Sequence, residues 1–380
     1  MRGVRCACFE LGTCRSCTVL DTPYPQQLAD KDARVRSQLA GVVPPDVFRE
    51  IVASNPVHFR TRAKLAVGGT AAHPILGIVR PDGSATDIRL CPIHNRHITD
   101  ALPAIARFIA RARLTPYDLT TRRGELKYVH VTAAPNGELL VRFVLRSTEA
   151  EARIRKHLAS LLADVPAIRV ATLNLLPVHK AVTEGERDIL LTDEHLLAMP
   201  LGDVTLHLTP ASFFQTNTAI AQALYGRAQE LLGALPLPTP ARIYDLYCGV
   251  GGFALHLAGV DRHVTGVEIS EPAIAAAQYS AEVNGVADRV ELIAADAWQW
   301  LATAPRADLV VVNPPRRGIG TELAGWLNEH APAVLYSSCN AVTLAKDLAH
   351  MPNLRAMSAQ VFDMFPHTTH TETLVALVRR

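Results

Sequence analysis

Four of the chain's seven cysteines fall within "CACFELGTCRSC", residues 6 to 17. Thiols set this densely either pair as disulfides or ligate a metal. The first residues, "MRGVRCACFE", hold no apolar stretch of the kind that directs secretion. No apolar run approaches the roughly 20 residues of a membrane span. The expected setting is the cytoplasm, where thiols stay reduced, so a metal centre is the favoured reading. A fifth cysteine, Cys91, stands apart in "RLCPIHN".

Cys339 suggests a second chemistry. It follows the apolar run of "VLYSSCN" and lies among Ser337, Ser338 and Asn340. A lone cysteine is usually apolar filler. In a polar turn at a strand end it can ionise and attack as a nucleophile. Near the C-terminus, "HTTHTETLVALVRR" places Glu372 at the start of another apolar run, close to His367 and His370. If that strand joins the sheet of Cys339, Glu372 reaches the same cleft as a proton acceptor. Cys248, inside "DLYCGVGGF", reads as packing.

That last stretch opens a third set. Gly249 and Gly251, with Gly252, permit a tight turn and a close approach to a ligand. The G-x-G-G spacing is a poor match to a dinucleotide fingerprint. Glu268 ends the next apolar run, 19 residues after Gly249, where a carboxylate can accept ribose hydroxyls. Asp296 ends the run after that, within reach of an adenine amine. Asn313 opens "NPPRRGIG", whose two prolines fix its direction; Arg316 and Arg317 follow and could meet phosphates. A glycine turn followed by acids on successive strand ends is the layout of an S-adenosylmethionine site.

These residues need a scaffold that lines them up. From about residue 205, runs such as "RIYDLYC", "HVTGVEIS", "RVELIAAD", "ADLVVVNPP" and "AVLYSSC" alternate with helical stretches. This is the pattern of a doubly wound, mostly parallel α/β sheet, which binds ligands at the carboxyl ends of its strands. The front half reads differently. "PYPQQLADKDARVRSQLAGV" predicts a helix with Leu28, Val35 and Leu39 on its apolar stripe. Two further helices are expected at "ITDALPAIARFIARARL" and "EAEARIRKHLASLLADV". "GELKYVHVTAAPNGELLVRFVLR" predicts a hairpin turning at Pro135-Asn136-Gly137. Charge separates the halves as well. Residues 1–160 carry 24 Lys/Arg against 14 Asp/Glu, and residues 161–380 carry 14 against 22. A basic front suits an anionic polymer.

Together "SFFQTN", "DLYCGVGGF", "NPPRRG", "SSCN" and the terminal "HTE" resemble the RNA uracil-C5-methyltransferase family over the whole chain. The resemblance implies a Rossmann-like class I methyltransferase sheet over 205–380. It also implies a central α+β RNA-binding domain over 96–204, and an iron–sulfur segment with the start of that domain over 1–95. It implies a [4Fe–4S] cluster on Cys6, Cys14, Cys17 and Cys91, with Cys8 as a fallback for Cys6. Four thiolates would equally suit structural zinc. Cys339 would add to C6 of uracil, C5 would take the methyl group of S-adenosylmethionine, and Glu372 would remove the C5 proton. Phe214, Gln215, Tyr247, Gly249, Gly251, Glu268 and Asp296 would line the cofactor site, and Asn313 would face the uracil edge. The family commonly has Asp where Asn313 stands, so a proton-shuttling acid is missing there. The cysteine cluster points to the branch that acts on 23S ribosomal RNA as a monomer without an obligate protein partner, and away from the tRNA branch. A cytosine-C5 methyltransferase would place its nucleophile after proline, and Cys339 follows serine. A non-catalytic iron–sulfur RNA-binding protein is the alternative of a different class.

Overall fold

A computed structural model describes residues 4–80 and 82–380. The front of the chain runs α1 (Ala7–Glu10), α2 (Tyr24–Gln38), β1 (Arg62–Gly69), β2 (Pro74–Val79), β3 (Ala85–Asp87), α3 (Arg96–Arg111), β4 (Leu126–Ala133), β5 (Leu139–Leu145), α4 (Glu151–Asp164), β6 (Ile168–Leu175) and β7 (Arg187–Leu190). Its strands form one sheet in the order β3-β2-β1-β4-β5-β6-β7, antiparallel except at β5–β6. Alternation sends Leu65, Val129, Val131, Val141 and Phe143 to one face, where they meet Ile105 and Phe108 of α3 and Ile154 of α4. The β4–β5 hairpin turns at Gly137, whose φ of +89° suits glycine.

The back of the chain begins with a hairpin, β8 (Leu197–Leu201) and β9 (Val204–Leu208), followed by α5 (Thr218–Ala234). Next come β10 (Ala241–Leu246), α6 (Gly252–Leu257), β11 (Arg262–Glu268), α7 (Glu271–Val283), β12 (Val290–Ala294), α8 (Ala297–Leu301) and β13 (Leu309–Val312). The chain ends with α9 (Gly320–His330), β14 (Ala333–Ser338), α10 (Ala341–Ala349), β15 (Leu354–Phe362) and β16 (Glu372–Arg379). The sheet order is β12-β11-β10-β13-β14-β16-β15, parallel from β12 through β14, with β16 antiparallel to both its neighbours. This is the expected α/β doubly wound sheet. The last apolar run does join the strand that leads to Cys339.

The β8–β9 hairpin is not foreseen from sequence. Leu197, Met199, Leu206 and Leu208 share one apolar cluster with α5 and the back sheet. The α2 helix also departs from its predicted stripe. Val35 and Leu39 are buried as expected and join the back-sheet core, but Gln27 and Lys31 are buried with them, while Leu28 is only partly covered. Polar groups are tolerated inside only when paired. Lys31 Nζ bonds Asp363 Oδ1 at 2.5 Å and donates to the Phe365 carbonyl at 2.9 Å. Tyr24 donates to the other Asp363 oxygen at 2.7 Å, and Gln27 accepts from the His367 N–H at 3.0 Å. One face of α2 thus fixes the segment between β15 and β16 that delivers Glu372.

Candidate active site

The register of the last two paired strands sets the reactive groups. In the β14–β16 ladder Ser338 lies opposite Thr373. Cys339, the next residue of one chain direction, and Glu372, the residue before in the other, therefore leave the ladder side by side. Glu372 is 1% exposed and accepts the Ser337 hydroxyl at 2.5 Å. Burial pushes its carboxyl up to about 7, against the pull of that hydrogen bond. Among the described residues no cation pairs with it, so at neutral pH it is poised to give or take a proton. Burial and then the Glu372 charge push the half-buried Cys339 thiol up. The positive charge of the nearby Arg316 guanidinium opposes both. The Arg316 carbonyl accepts from Asn340 Nδ2 and Thr343 Oγ1, both at 3.1 Å, which ties the "NPPRRG" loop to the start of α10. The same guanidinium meets His370 Nδ1 at 2.8 Å.

A second group forms round the glycine turn between β10 and α6. Tyr247 has φ +64°, an uncommon conformation for a residue other than glycine, and it starts the turn. Gly249 N–H donates to Glu268 Oε2 at 3.3 Å. A Cβ at Gly249 would meet nothing within 4 Å, so its surroundings are open; one at Gly251 would strike Leu255 at 2.4 Å. Glu268 is half-buried and Asp296 exposed, at the ends of neighbouring strands. Asp296 also caps α8, accepting from the Gln299 N–H at 3.0 Å. Its charge raises the Tyr247 hydroxyl after burial does, which sets these two groups near each other. Asn313 is half-buried just beyond β13, on the same sheet edge. Cys248 is 8% exposed with its thiol pushed well up, in keeping with packing.

Sequence reasoning quoted Asp245 inside its motif but gave it no role. It is fully buried at the end of β10, one oxygen accepts from the Ala254 N–H at 2.8 Å, and the other has no partner. Burial, helped by Glu268, pushes its carboxyl up to about 7. An orphaned buried oxygen beside an open glycine turn suits a ligand that donates hydrogen bonds or carries positive charge. Such a site fits the sulfonium and amino groups of S-adenosylmethionine. Arg316, read from sequence as a phosphate contact, is exposed and lies near Cys339. The two "SFFQTN" residues lie where the front sheet meets the back of the chain. Both line a small cleft with Arg62 and Thr132 of the front sheet, and Phe214 also packs in the cluster that holds Val250 and Phe253 of the glycine turn and α6. Asn217 caps α5 and donates to Ser54 Oγ at 2.8 Å.

All five front cysteines line one cavity of about 760 Å³, with Arg60 and the Phe365–Pro366 loop. Burial and then the charges of Cys91, Cys14 and Cys6 push the Cys17 thiol up to about 12. Cys6 and Cys14 likewise act on Cys91, and the Arg60 guanidinium faces both Cys91 and Cys17. Cys8 feels Cys6 and Cys14, and its thiol donates to the Asp87 carbonyl at 3.4 Å. Among the described residues, no three His, Cys, Asp or Glu side chains converge tightly enough to hold a metal ion.

The sequence profile described as tRNA (uracil-5-)-methyltransferase matches residues 186–380, and the chain belongs to that family. Proteins called 23S rRNA (uracil(747)-C(5))-methyltransferase RlmC are similar over 99% of this chain and all of theirs. They include those of Salmonella arizonae, 43% identical, and Halothiobacillus neapolitanus, 45% identical. The Pyrococcus abyssi tRNA (uracil-54, C5)-methyltransferase, solved with S-adenosyl-L-homocysteine, superposes with a TM-score of 0.78 at 25% identity. That match covers 95% of this chain and 85% of that one.

Proposed function

We propose that this chain transfers a methyl group from S-adenosylmethionine to C5 of a uridine in 23S ribosomal RNA, the base that its relatives' names number 747. The observation that carries the reading is the buried Glu372, uncompensated by a cation, leaving the sheet beside Cys339. The Cys339 thiolate, supported by Arg316, adds to uracil C6 and turns the ring into an enolate. C5 attacks the methyl carbon of the sulfonium, and the CH3–S bond breaks with its electron pair left on sulfur, releasing S-adenosylhomocysteine. Glu372 then takes the C5 proton, and the electrons of that C–H bond re-form the C5–C6 double bond as Cys339 leaves. Tyr247, Gly249, Gly251, Glu268 and Asp296 hold the methyl donor, Asp245 faces its charged end, and Phe214 and Gln215 support the wall beneath. Asn313 holds the uracil edge. The target base is stacked or paired in folded RNA, so it reaches this edge only when splayed out.

The full-length likeness to 23S-specific relatives, at 43% to 45% identity, favours that RNA over tRNA, for which the solved relative at 25% is named. The test is methyl transfer by oxygen-free protein to unmodified 23S ribosomal RNA, with 5-methyluridine mapped by mass spectrometry. One modified uridine is expected. Methylation of tRNA alone overturns the substrate, and transfer to neither overturns the function.

We also assign Cys6, Cys14, Cys17 and Cys91 as ligands of a [4Fe–4S] cluster. Four thiols round one cavity, acting on one another and on a facing arginine, are a donor set of the right chemistry. Zinc would need all four sulfurs about 2.3 Å from one point. When bound, the cluster supplies a cross-link from the N-terminal segment to Cys91. Elemental analysis of oxygen-free protein should find about four irons per chain. Cys6→Ala should lose them and Cys8→Ala should keep them.

A further inference from the structure

The front sheet carries a second cavity of about 250 Å³, between β1, β2 and β4 and the segment after β6. Its walls bring together Tyr117, Tyr128 and His179 with Lys64, Lys127 and Lys180, and no acidic side chain lines it. Two of the rings meet at a tilt of 47°. Tyr117 Oη lies 3.1 Å from His179 Nδ1, with the two rings 6.1 Å apart. Lys127 Nζ sits 4.4 Å above the Tyr117 ring and donates to the Val178 carbonyl at 2.8 Å.

Lys127 is 7% exposed and, among the described residues, makes no ion pair with a carboxylate. A buried ammonium satisfied only by a carbonyl and a ring is costly unless an anion completes it. Lys64 has one carboxylate neighbour, Glu184 at 2.9 Å, while Lys180 is exposed at the mouth. Leu119 and Val182 on the rim are 40% and 43% exposed, leaving apolar surface beside the cations. Flat rings, apolar edges and positive charge without acid are what an unstacked nucleotide meets on single-strand-binding proteins. A volume below the ~300–1,000 Å³ that encloses drug-sized ligands suits one base.

Position supports the same ligand. Lys64 and Ile78 line both this cavity and the cysteine-lined one, and the latter extends to Phe365, Pro366 and Thr368, just ahead of Glu372. The front-sheet cavity therefore adjoins the cysteine-lined part of the molecule that leads to the segment ahead of Glu372. We propose that this cavity captures a second, unmethylated nucleotide of the RNA substrate and so sets which uridine reaches Cys339. The proposal rests on the reading that the substrate is RNA.

The test uses the full chain, purified without oxygen, and a 23S hairpin transcript carrying the target uridine. Tyr128→Leu should weaken transcript binding about 5- to 100-fold, the range for losing one base–aromatic stack. The loss should appear in KM rather than in kcat. Lys180→Ala, an exposed change that does not threaten folding, should lower the slope of log affinity against log salt by about 0.7. Wild-type affinity and salt slope in Lys180→Ala, together with wild-type affinity in a folded Tyr128→Leu, would overturn the inference while wild-type methyl transfer leaves the function intact. If the wild-type chain neither binds nor methylates the transcript, both readings fall. If Tyr128→Leu fails to fold, the Lys180→Ala slope decides.

Discussion

Buried charge is handled in two opposite ways in this molecule. In the front sheet, Arg142 is 2% exposed at its side chain and is held at both ends, by Asp188 at 2.5 Å and Glu184 at 2.6 Å. The Lys31–Asp363 pair between α2 and the β15–β16 segment is equally closed. In the back sheet, Asp245 and Glu372 are buried without a cation, and both carboxyls are pushed up to about 7. A buried charge that is paired fixes geometry. One left unpaired is unstable in its charged form, and so it is ready to exchange a proton or receive a ligand. The unpaired acids lie on the edge that carries the glycine turn and Cys339, and the Lys31–Asp363 pair holds the segment that delivers Glu372 to it.

The contrast predicts graded failures. Cys339→Ala removes the nucleophile itself, and methyl transfer should fall by at least about 10⁴-fold while RNA binding persists in a filter assay. Glu372→Gln should slow turnover about 10²- to 10⁴-fold, and the wild-type rate should rise with pH through about 7 as the carboxyl deprotonates. Stability should move the other way. The folded value of about 7 lies above the ordinary 4.5, so the contribution of Glu372 is complete below pH 4.5 and is lost as pH rises through 7. At pH 8 the Gln variant should be more stable than wild type by on the order of 3 kcal/mol in denaturant unfolding, and at pH 4.5 the two should coincide.

A paired charge should behave in the reverse sense. Lys31→Met strands Asp363 in the interior and should cost about 3–5 kcal/mol at neutral pH. If Lys31→Met were neutral and Glu372→Gln destabilising at pH 8, the division between the two kinds of buried charge would fail. The smallest effect is expected at Arg316. With Arg316→Gln the thiol loses its cation, so its titration should shift upward. Activity at neutral pH should fall about tenfold and recover in part at higher pH.

The back sheet was legible because three of its parallel strands run out into a residue of a different character from the run before it. Glu268, Asn313 and Cys339 stand out at those ends, and all lie on one sheet edge. Glu372 was legible for the mirror reason, opening an apolar run that returns antiparallel. Asp245 was not, since an acid within "RIYDLY" reads as part of a strand; only burial reveals its unpaired oxygen. Lys31 looked like the solvent side of a helix because its partner is 332 positions away. Arg316 sat in a loop whose direction is set by contacts with Asn340 and Thr343, and sequence spacing does not show those. The β8–β9 hairpin was hidden because its strands are only five residues each, too short for a clear alternating pattern.

The division of labour between Cys339 and Glu372 is tested most directly by trapping. Glu372→Gln protein would be incubated with S-adenosylmethionine and the target transcript, then resolved under denaturing conditions. With the base removed, the C5 proton stays in place and Cys339 should remain bonded to C6, giving a protein–RNA adduct that carries the methyl group. Release of free methylated RNA at the wild-type rate, with no adduct, would contradict the assignment of Glu372 as the base.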